Sequence, residues 1–161
     1  MSQTWPPVAV SQNLQLHANL VELVRSNTNF ELDAPLGHHL IIRSTGLIET
    51  TRDTVARDYA QSVSHPRVHR RISNTFVKGQ GCEPKQLTEF IKSFDEDWAD
   101  KFDQFLQEDD QHRGNQLSMM VGQRKRIAHG LSTAAKGSQA LQWSETARDI
   151  TKWLIDCFDP R

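Results

Sequence analysis

The sequence predicts an all-α protein, a helical bundle of about five to seven helices in a single domain over residues 1–161. No segment alternates apolar and polar side chains cleanly at a period of two, which is the pattern of a half-buried strand. Apolar side chains instead recur three or four positions apart through most of the chain, as on the buried face of a helix. The length of 161 residues is enough for one domain with its own core.

In the first part of the chain, the sequence predicts two helices after an irregular lead-in over residues 1–8. The first helix is expected over about 9–27, because its apolar residues have helical spacing: Leu14, Leu20, Val21 and Val24. Asp33 is the predicted N-cap of the second helix, with Pro35 near its start. This helix is expected to reach about residue 63, before the break at His65-Pro66.

The middle of the chain predicts a short third helix and an aromatic helical segment. The short helix carries Val68, Ile72 and Phe76 and ends near Gly79. The aromatic segment starts at Leu87 and forms either one long helix or two helices with a joint near Asp95. We expect its aromatic residues to lie in the core: Phe90, Phe94, Trp98, Phe102 and Phe105.

The last part of the chain predicts two more helices. A polar connection over 107–114 precedes a helix that ends before Gly130, since glycine commonly follows a helix C-terminus. Residues 131–142 are small and polar, so we expect a loop there. Ser144 is the predicted N-cap of a final helix, whose apolar residues are Ala147, Ile150, Trp153, Leu154 and Phe158.

Composition excludes several classes of protein. No apolar run approaches the roughly 20 residues of a membrane span, and residues 1–10 lack the pattern of a secretory signal. Cys82 and Cys157 lie far apart without CxxC spacing, which disfavours zinc and favours a reduced cytoplasmic protein, although a disulfide stays open. We expect no metal, no cofactor and no membrane partner.

The net charge of −1 conceals a segregation of charge along the chain. Residues 95–110 carry eight acids against Lys101 alone, whereas residues 64–81 carry four bases and no acid. A near-neutral total therefore does not argue against a polyanionic ligand, because the local field decides binding.

Arg124 is the most informative residue, because it lies on an apolar helical stripe. The stripe consists of Leu117, Met120, Val121, Ile127 and Ala128. An arginine there needs an acidic partner, a cleft or an interface, since burying an unpaired charge is very costly. His129 follows five residues later, next to Gly130, where a histidine serves either as a helix cap or as a catalyst.

Together these residues form the sequence Arg124-Lys-Arg-Ile-Ala-His129-Gly130. This R-x4-H pattern resembles the signature of HEPN domains, and the whole is similar to the bacterial branch labelled RiboL-PSP. The motif lies near the C-terminus, after an apolar stretch and before one amphipathic helix, and the resemblance covers the chain from about residue 12. It implies a helical bundle that acts as an endoribonuclease of a toxin–antitoxin, abortive-infection or other antiviral defence system.

The resemblance also implies a mechanism and partners. Without a metal, the ribose 2′-hydroxyl would attack the adjacent phosphate, with His129 as acid and base and Arg124 stabilising the phosphate charge. HEPN sites are typically shared by two subunits, which implies a homodimer, and an antitoxin or regulator is a further expected partner. Lys125 departs from the family, which often has Asn, Asp or His there. The alternative is a non-catalytic HEPN-like module that binds RNA, a nucleotide or a partner protein.

Further residues are candidates for RNA binding or for support of the site. The third helix has a basic face that suits phosphate contacts, or else a solvated face or a partner for the acidic stretch. The candidate RNA-binding residues are Arg67, Arg70, Arg71 and Lys78, together with Lys125 and Arg126. Glu49 is either a polar support to the site or an ordinary surface acid.

Overall fold

The computed structural model of the chain describes residues 4–65, 67–68, 80–108 and 112–161, and these residues contain helices and no strand. The all-α prediction is therefore confirmed. Six helices follow one another along the described parts of the chain: α1 Val8–Ser26, α2 Phe30–Val63, α3 Pro84–Lys92, α4 Glu96–Gln107, α5 Arg113–Ala128 and α6 Gly137–Cys157.

The start of α2 differs from the prediction. The helix begins at Phe30 because the side chain of Asn29 accepts a hydrogen bond from the backbone N–H of Glu31 at 2.9 Å. Asp33, the predicted N-cap, lies inside the first turn instead. An acid in that turn is still favourable, since it interacts with the positive end of the helix dipole.

Asp33 caps a different helix. Its Oδ2 accepts a hydrogen bond from the backbone N–H of Gly137, the first residue of α6, at 3.3 Å. The prediction that Ser144 is the N-cap of α6 was therefore wrong, because the N-cap position is Lys136, eight residues earlier, and a carboxylate from α2 satisfies the helix terminus there. Ser144 lies within α6, is 2% exposed and donates its hydroxyl to the carbonyl of Leu141 at 2.6 Å.

The aromatic segment forms two helices, so the second of the two alternatives is correct. Asp95 separates α3 from α4, and its Oδ1 accepts from the backbone N–H of Trp98 at 2.9 Å. The polar connection predicted over 107–114 lies partly outside the described residues, and the helices on either side of it end at Gln107 and begin at Arg113. The predicted third helix ending near Gly79 lies largely outside the described residues.

The core is formed by apolar side chains of all six helices, and the predicted aromatic residues belong to it. Phe90 and Phe102 are buried, while three others pack against them partly buried: Phe94, Trp98 and Phe105. Phe158 after α6 contacts several of these rings edge-on, for example Phe94 at 5.1 Å between centroids. Among the described helices, none combines the length and the apolar character that a bilayer crossing needs.

One charged side chain lies inside this core. Arg52 on α2 is 1% exposed, and it donates to the carbonyls of Gly81 and Gln80 at 2.8 and 3.1 Å and to Asp53 at 2.8 Å. A buried guanidinium is tolerated only where its donors are paired in this way. Arg52 therefore fixes the segment before α3 against α2.

Two glycines of α2 provide a matched test of this packing. A Cβ on Gly37 would lie 2.9 Å from backbone atoms of Lys136 and Gly137, whereas a Cβ on Gly46 would meet nothing within 4 Å. Gly37→Ala should lower the free energy of unfolding by about 1–3 kcal/mol, because backbone cannot move aside cheaply. Gly46→Ala should raise it by roughly 0.4–1 kcal/mol, since alanine restricts the unfolded chain. Urea unfolding of both variants measures the difference, and equal effects would contradict the close approach of α2 and α6.

Candidate functional site

The C-terminus of α5 is a Schellman turn, as the glycine after the helix predicted. Gly130 has a φ of 66°, its N–H donates to the carbonyl of Ile127 at 3.0 Å, and the N–H of Leu131 donates to that of Arg126 at 2.9 Å. His129 is the C-cap residue and is exposed. The turn therefore leaves the imidazole at the end of the helix, accessible to solvent.

Arg124 forms an ion pair between α5 and α2. Its Nη1 donates to Oε1 of Glu49 at 3.0 Å, and the two side chains are 38% and 21% exposed. Glu49 is therefore the acidic partner that an arginine on an apolar stripe requires. The contact also places Glu49 next to the R-x4-H motif. Because a guanidinium has five N–H donors, the pair leaves donors of Arg124 for a further anion.

The two basic residues after Arg124 have partners within the chain. Lys125 forms an ion pair with Glu83. Arg126 donates through Nε and Nη2 to the carbonyl of Ser132, at 3.1 and 2.7 Å. Both predicted RNA-binding residues are thus already engaged, and Arg126 holds the segment that follows the Schellman turn.

The same segment has a second attachment to α5. The hydroxyl of Thr133 donates to Oε1 of Gln123, and it also accepts from the backbone N–H of Ala135 at 3.1 Å. The predicted loop over 131–142 is therefore shorter than expected, since α6 begins at Gly137. These contacts fix the chain on both sides of His129.

A pocket of about 200 Å³ lies beside Arg124, between three helices. Arg124 contributes from α5, α2 forms its longest side, and α1 closes it. The absence of a side chain at Gly46 leaves the space over α2 open. The pocket is lined by Asn13, His17, Ile42, Arg43, Gly46, Leu47, Thr50 and Arg124.

His17, at the inner side of this pocket, is held in its neutral form. It is 4% exposed, and its Nε2 lies 2.9 Å from the hydroxyl oxygen of Ser44. Burial, which has the largest effect, and the nearby positive charges of Arg148 and Arg43 together lower the pKa of His17 to about 4. The electrostatic potential at this imidazole is therefore positive.

The sequence analysis missed the pocket residues His17 and Arg43. The spacing of His17 from Val10, Val21 and Val24 places it on the buried face of α1, which was a usable signal for a buried polar contact. Nothing in the local sequence distinguishes Arg43 from other exposed arginines, because its position depends on how α1 and α5 pack against α2.

One predicted RNA-binding residue of the basic segment before α3 belongs to the described part of the chain. Arg67 is exposed, and its backbone N–H donates to Nδ1 of His65 at 3.3 Å. The other predicted RNA-binding residues of this segment, Arg70, Arg71 and Lys78, lie outside the described residues.

The cysteines do not supply a nucleophile. Both are free thiols, with Cys82 buried and Cys157 half-buried. Burial raises the pKa of each thiol to about 12, so neither is a thiolate near neutral pH.

Comparisons with protein-family models, with curated proteins and with solved structures found no match to this chain. The resemblance to HEPN domains therefore continues to rest on the motif residues themselves. To these the structure adds the helical class, the contact between Arg124 and Glu49, and the exposed position of His129.

The burial of His17 predicts a pH dependence of stability. Its pKa is about 4 in the folded chain and 6.5 in the unfolded chain, so its neutral form stabilises the fold fully above pH 6.5. As the pH falls from 6.5 to 4, about 3 kcal/mol of this stabilisation should be lost, because the unfolded chain takes up the proton first. Urea unfolding of the wild type and of His17→Asn at pH 7.5 and pH 4 measures the loss. Identical pH dependence in the two proteins would contradict it.

Proposed function

We propose that this chain is a metal-independent endoribonuclease of a defence or toxin–antitoxin type. The observation that carries the proposal is the arrangement on α5: Arg124 is partly exposed and held by Glu49, and His129 is exposed at the end of the same helix. Five helical residues correspond to about 7.5 Å of rise. Five residues also turn the helix by about 140°. In the proposal, the long Arg124 side chain therefore reaches along α5, or His129 comes from a second copy, for both groups to contact one phosphodiester.

The proposed reaction is an internal transesterification of RNA. The neutral imidazole of His129 removes the proton of the ribose 2′-hydroxyl, whose oxygen attacks the adjacent phosphorus. Arg124 stabilises the negative charge that grows on the phosphate oxygens. The bond to the 5′-oxygen then breaks, and that oxygen takes up a proton, which leaves a 2′,3′-cyclic phosphate and a 5′-hydroxyl.

The partners of this enzyme follow from the same proposal. In a homodimer that brings two motifs together, the His129 of a second copy supplies the proton to the leaving oxygen. The substrate is RNA, so the reaction would take place in the cytoplasm. A nuclease of this kind requires an antitoxin or another regulator to protect the RNA of its own cell.

A second candidate function is a HEPN-like module that binds RNA, a nucleotide or a protein without cutting. Two ion pairs favour it, because Arg124 with Glu49 and Lys125 with Glu83 already neutralise the cations of the motif. Residues that only stabilise a fold are commonly paired in this way. The two functions differ in whether His129 is needed for a chemical step.

The first prediction of the enzyme proposal concerns the two motif residues. Arg124→Ala and His129→Ala should each lower the rate of cleavage of bulk cellular RNA in EDTA by roughly 10²–10⁴-fold, because each removes one chemical role. His112→Asn is the matched control: this exposed histidine lies before the opposite end of α5, with a φ of 44° that asparagine tolerates. It should cleave like the wild type and leave cyclic-phosphate ends.

If the folded wild type does not cleave RNA, the enzyme proposal fails and the binding module takes its place. If His129→Ala cleaves as fast as the wild type, the activity does not belong to this site.

The second prediction concerns Glu49 as a positioning residue. Glu49→Ala should lower the turnover rate by up to about 100-fold, because a displaced Arg124 no longer meets the phosphate correctly. Glu49→Gln keeps an acceptor for Arg124 and should retain more activity. Glu83→Ala is the control, since it removes the acidic partner of Lys125 and should leave turnover nearly unchanged. Equal losses in Glu83→Ala and Glu49→Ala would contradict the positioning role.

A further inference from the structure

The pocket beside Arg124 contributes no residue other than Arg124 to the proposed chemical step. It extends from Arg124 across α2 to Asn13 and His17 on α1. Its lining is mixed, with apolar Ile42 and Leu47 beside charged and polar groups. A pocket adjoining a reactive group commonly binds a part of the substrate that does not react.

The charge of the pocket favours an anion. Two arginines, Arg43 and Arg124, line it, and no acidic residue does. Glu49 offsets only part of this charge, through its single contact with Nη1 of Arg124. Within the described part of the chain, the Arg43 side chain has no ion pair, so its guanidinium is available to a ligand.

The pocket is too small for a whole drug-sized ligand. Its volume of about 200 Å³ lies below the range of roughly 300–1,000 Å³ that such ligands occupy. A phosphate with one ribose fits better, with the base and the neighbouring nucleotides outside. Asn13 and Thr50 offer an amide and a hydroxyl, which are suitable partners for sugar hydroxyls.

We propose that this pocket is a backbone subsite for single-stranded RNA, in which Arg43 binds the phosphate of the nucleotide next to the cleaved bond, beside the phosphate that Arg124 contacts in the proposed reaction. The inference rests on the proposed function, because it takes RNA as the substrate of the same site. Arg43 acts through charge and does not read the base, so the subsite adds affinity without sequence preference. A free mononucleotide offers the same phosphate and ribose, and the experiment distinguishes it from the strand.

The test measures binding of a fluorescent single-stranded RNA oligonucleotide to the full chain carrying His129→Ala, by anisotropy at several salt concentrations. Two further changes address the pocket. Arg43→Gln removes the free cation, and Gly46→Leu fills the open space over α2 without changing charge. Arg57→Gln is the control, because it removes the same charge from an exposed position on the same helix, outside the pocket.

Arg43→Gln should weaken RNA binding roughly tenfold or more, as expected for the loss of a charged hydrogen bond. It should also reduce the slope of log affinity against log salt by about 0.7, the value for one phosphate contact on a single strand. Gly46→Leu should weaken binding similarly with an unchanged thermal unfolding temperature or a raised one. Arg57→Gln should bind like the His129→Ala parent.

RNA binding that Arg43→Gln and Gly46→Leu leave unchanged would overturn the subsite. So would displacement of the RNA by adenosine monophosphate or inorganic phosphate at concentrations comparable with the RNA, since the pocket would then serve a free nucleotide. Cleavage by the His129-containing protein is scored separately. If Arg43→Gln leaves the cleavage rate unchanged, only the subsite is contradicted. If the pocket variants weaken RNA binding but the His129-containing protein does not cleave RNA, only the nuclease function is contradicted.

Discussion

The close packing of α2 against its neighbours is the constraint on which the candidate site depends. Gly37 lets the start of α6 approach the α2 backbone, and Asp33 caps α6 there. Farther along the same helix, Ser44 contacts His17 of α1, and Glu49 pairs with Arg124 of α5. Because α2 makes all these contacts, this one helix positions both the pocket and Arg124.

The electrostatics of the site follow from this arrangement. Glu49 is the acid that makes an arginine tolerable on an apolar stripe, and it contacts Nη1 of Arg124 alone, which leaves the other guanidinium donors for a further anion. Burial and the adjacent arginines keep His17 neutral, so that the pocket holds two cations without a third from the imidazole. His129, exposed at the end of α5, keeps access to solvent. The contrast between these two histidines separates a structural role from a proposed chemical one.

The sequence alone was sufficient for the helical class and for the stop at Gly130, because these depend on neighbouring residues. It left one long helix and a joint at Asp95 as alternatives, and it missed the local cap Asn29 at the start of α2. The cap from Asp33 to Gly137 joins residues 104 positions apart, so the start of α6 was predicted wrongly. The pair of Glu49 and Arg124 spans 75 positions, and the pocket needs three helices; spacing along one helix indicates neither.

The central claim is that this chain cuts RNA through the 2′-hydroxyl next to the broken bond. The most direct measurement compares a short RNA of defined sequence with a copy that carries a single 2′-deoxyribose at the position where the first is cut, both in EDTA. We expect the wild type to cut the all-ribose strand and to leave the modified position intact. Cleavage at the deoxyribose would contradict the mechanism, and intact RNA in both cases would contradict the activity itself.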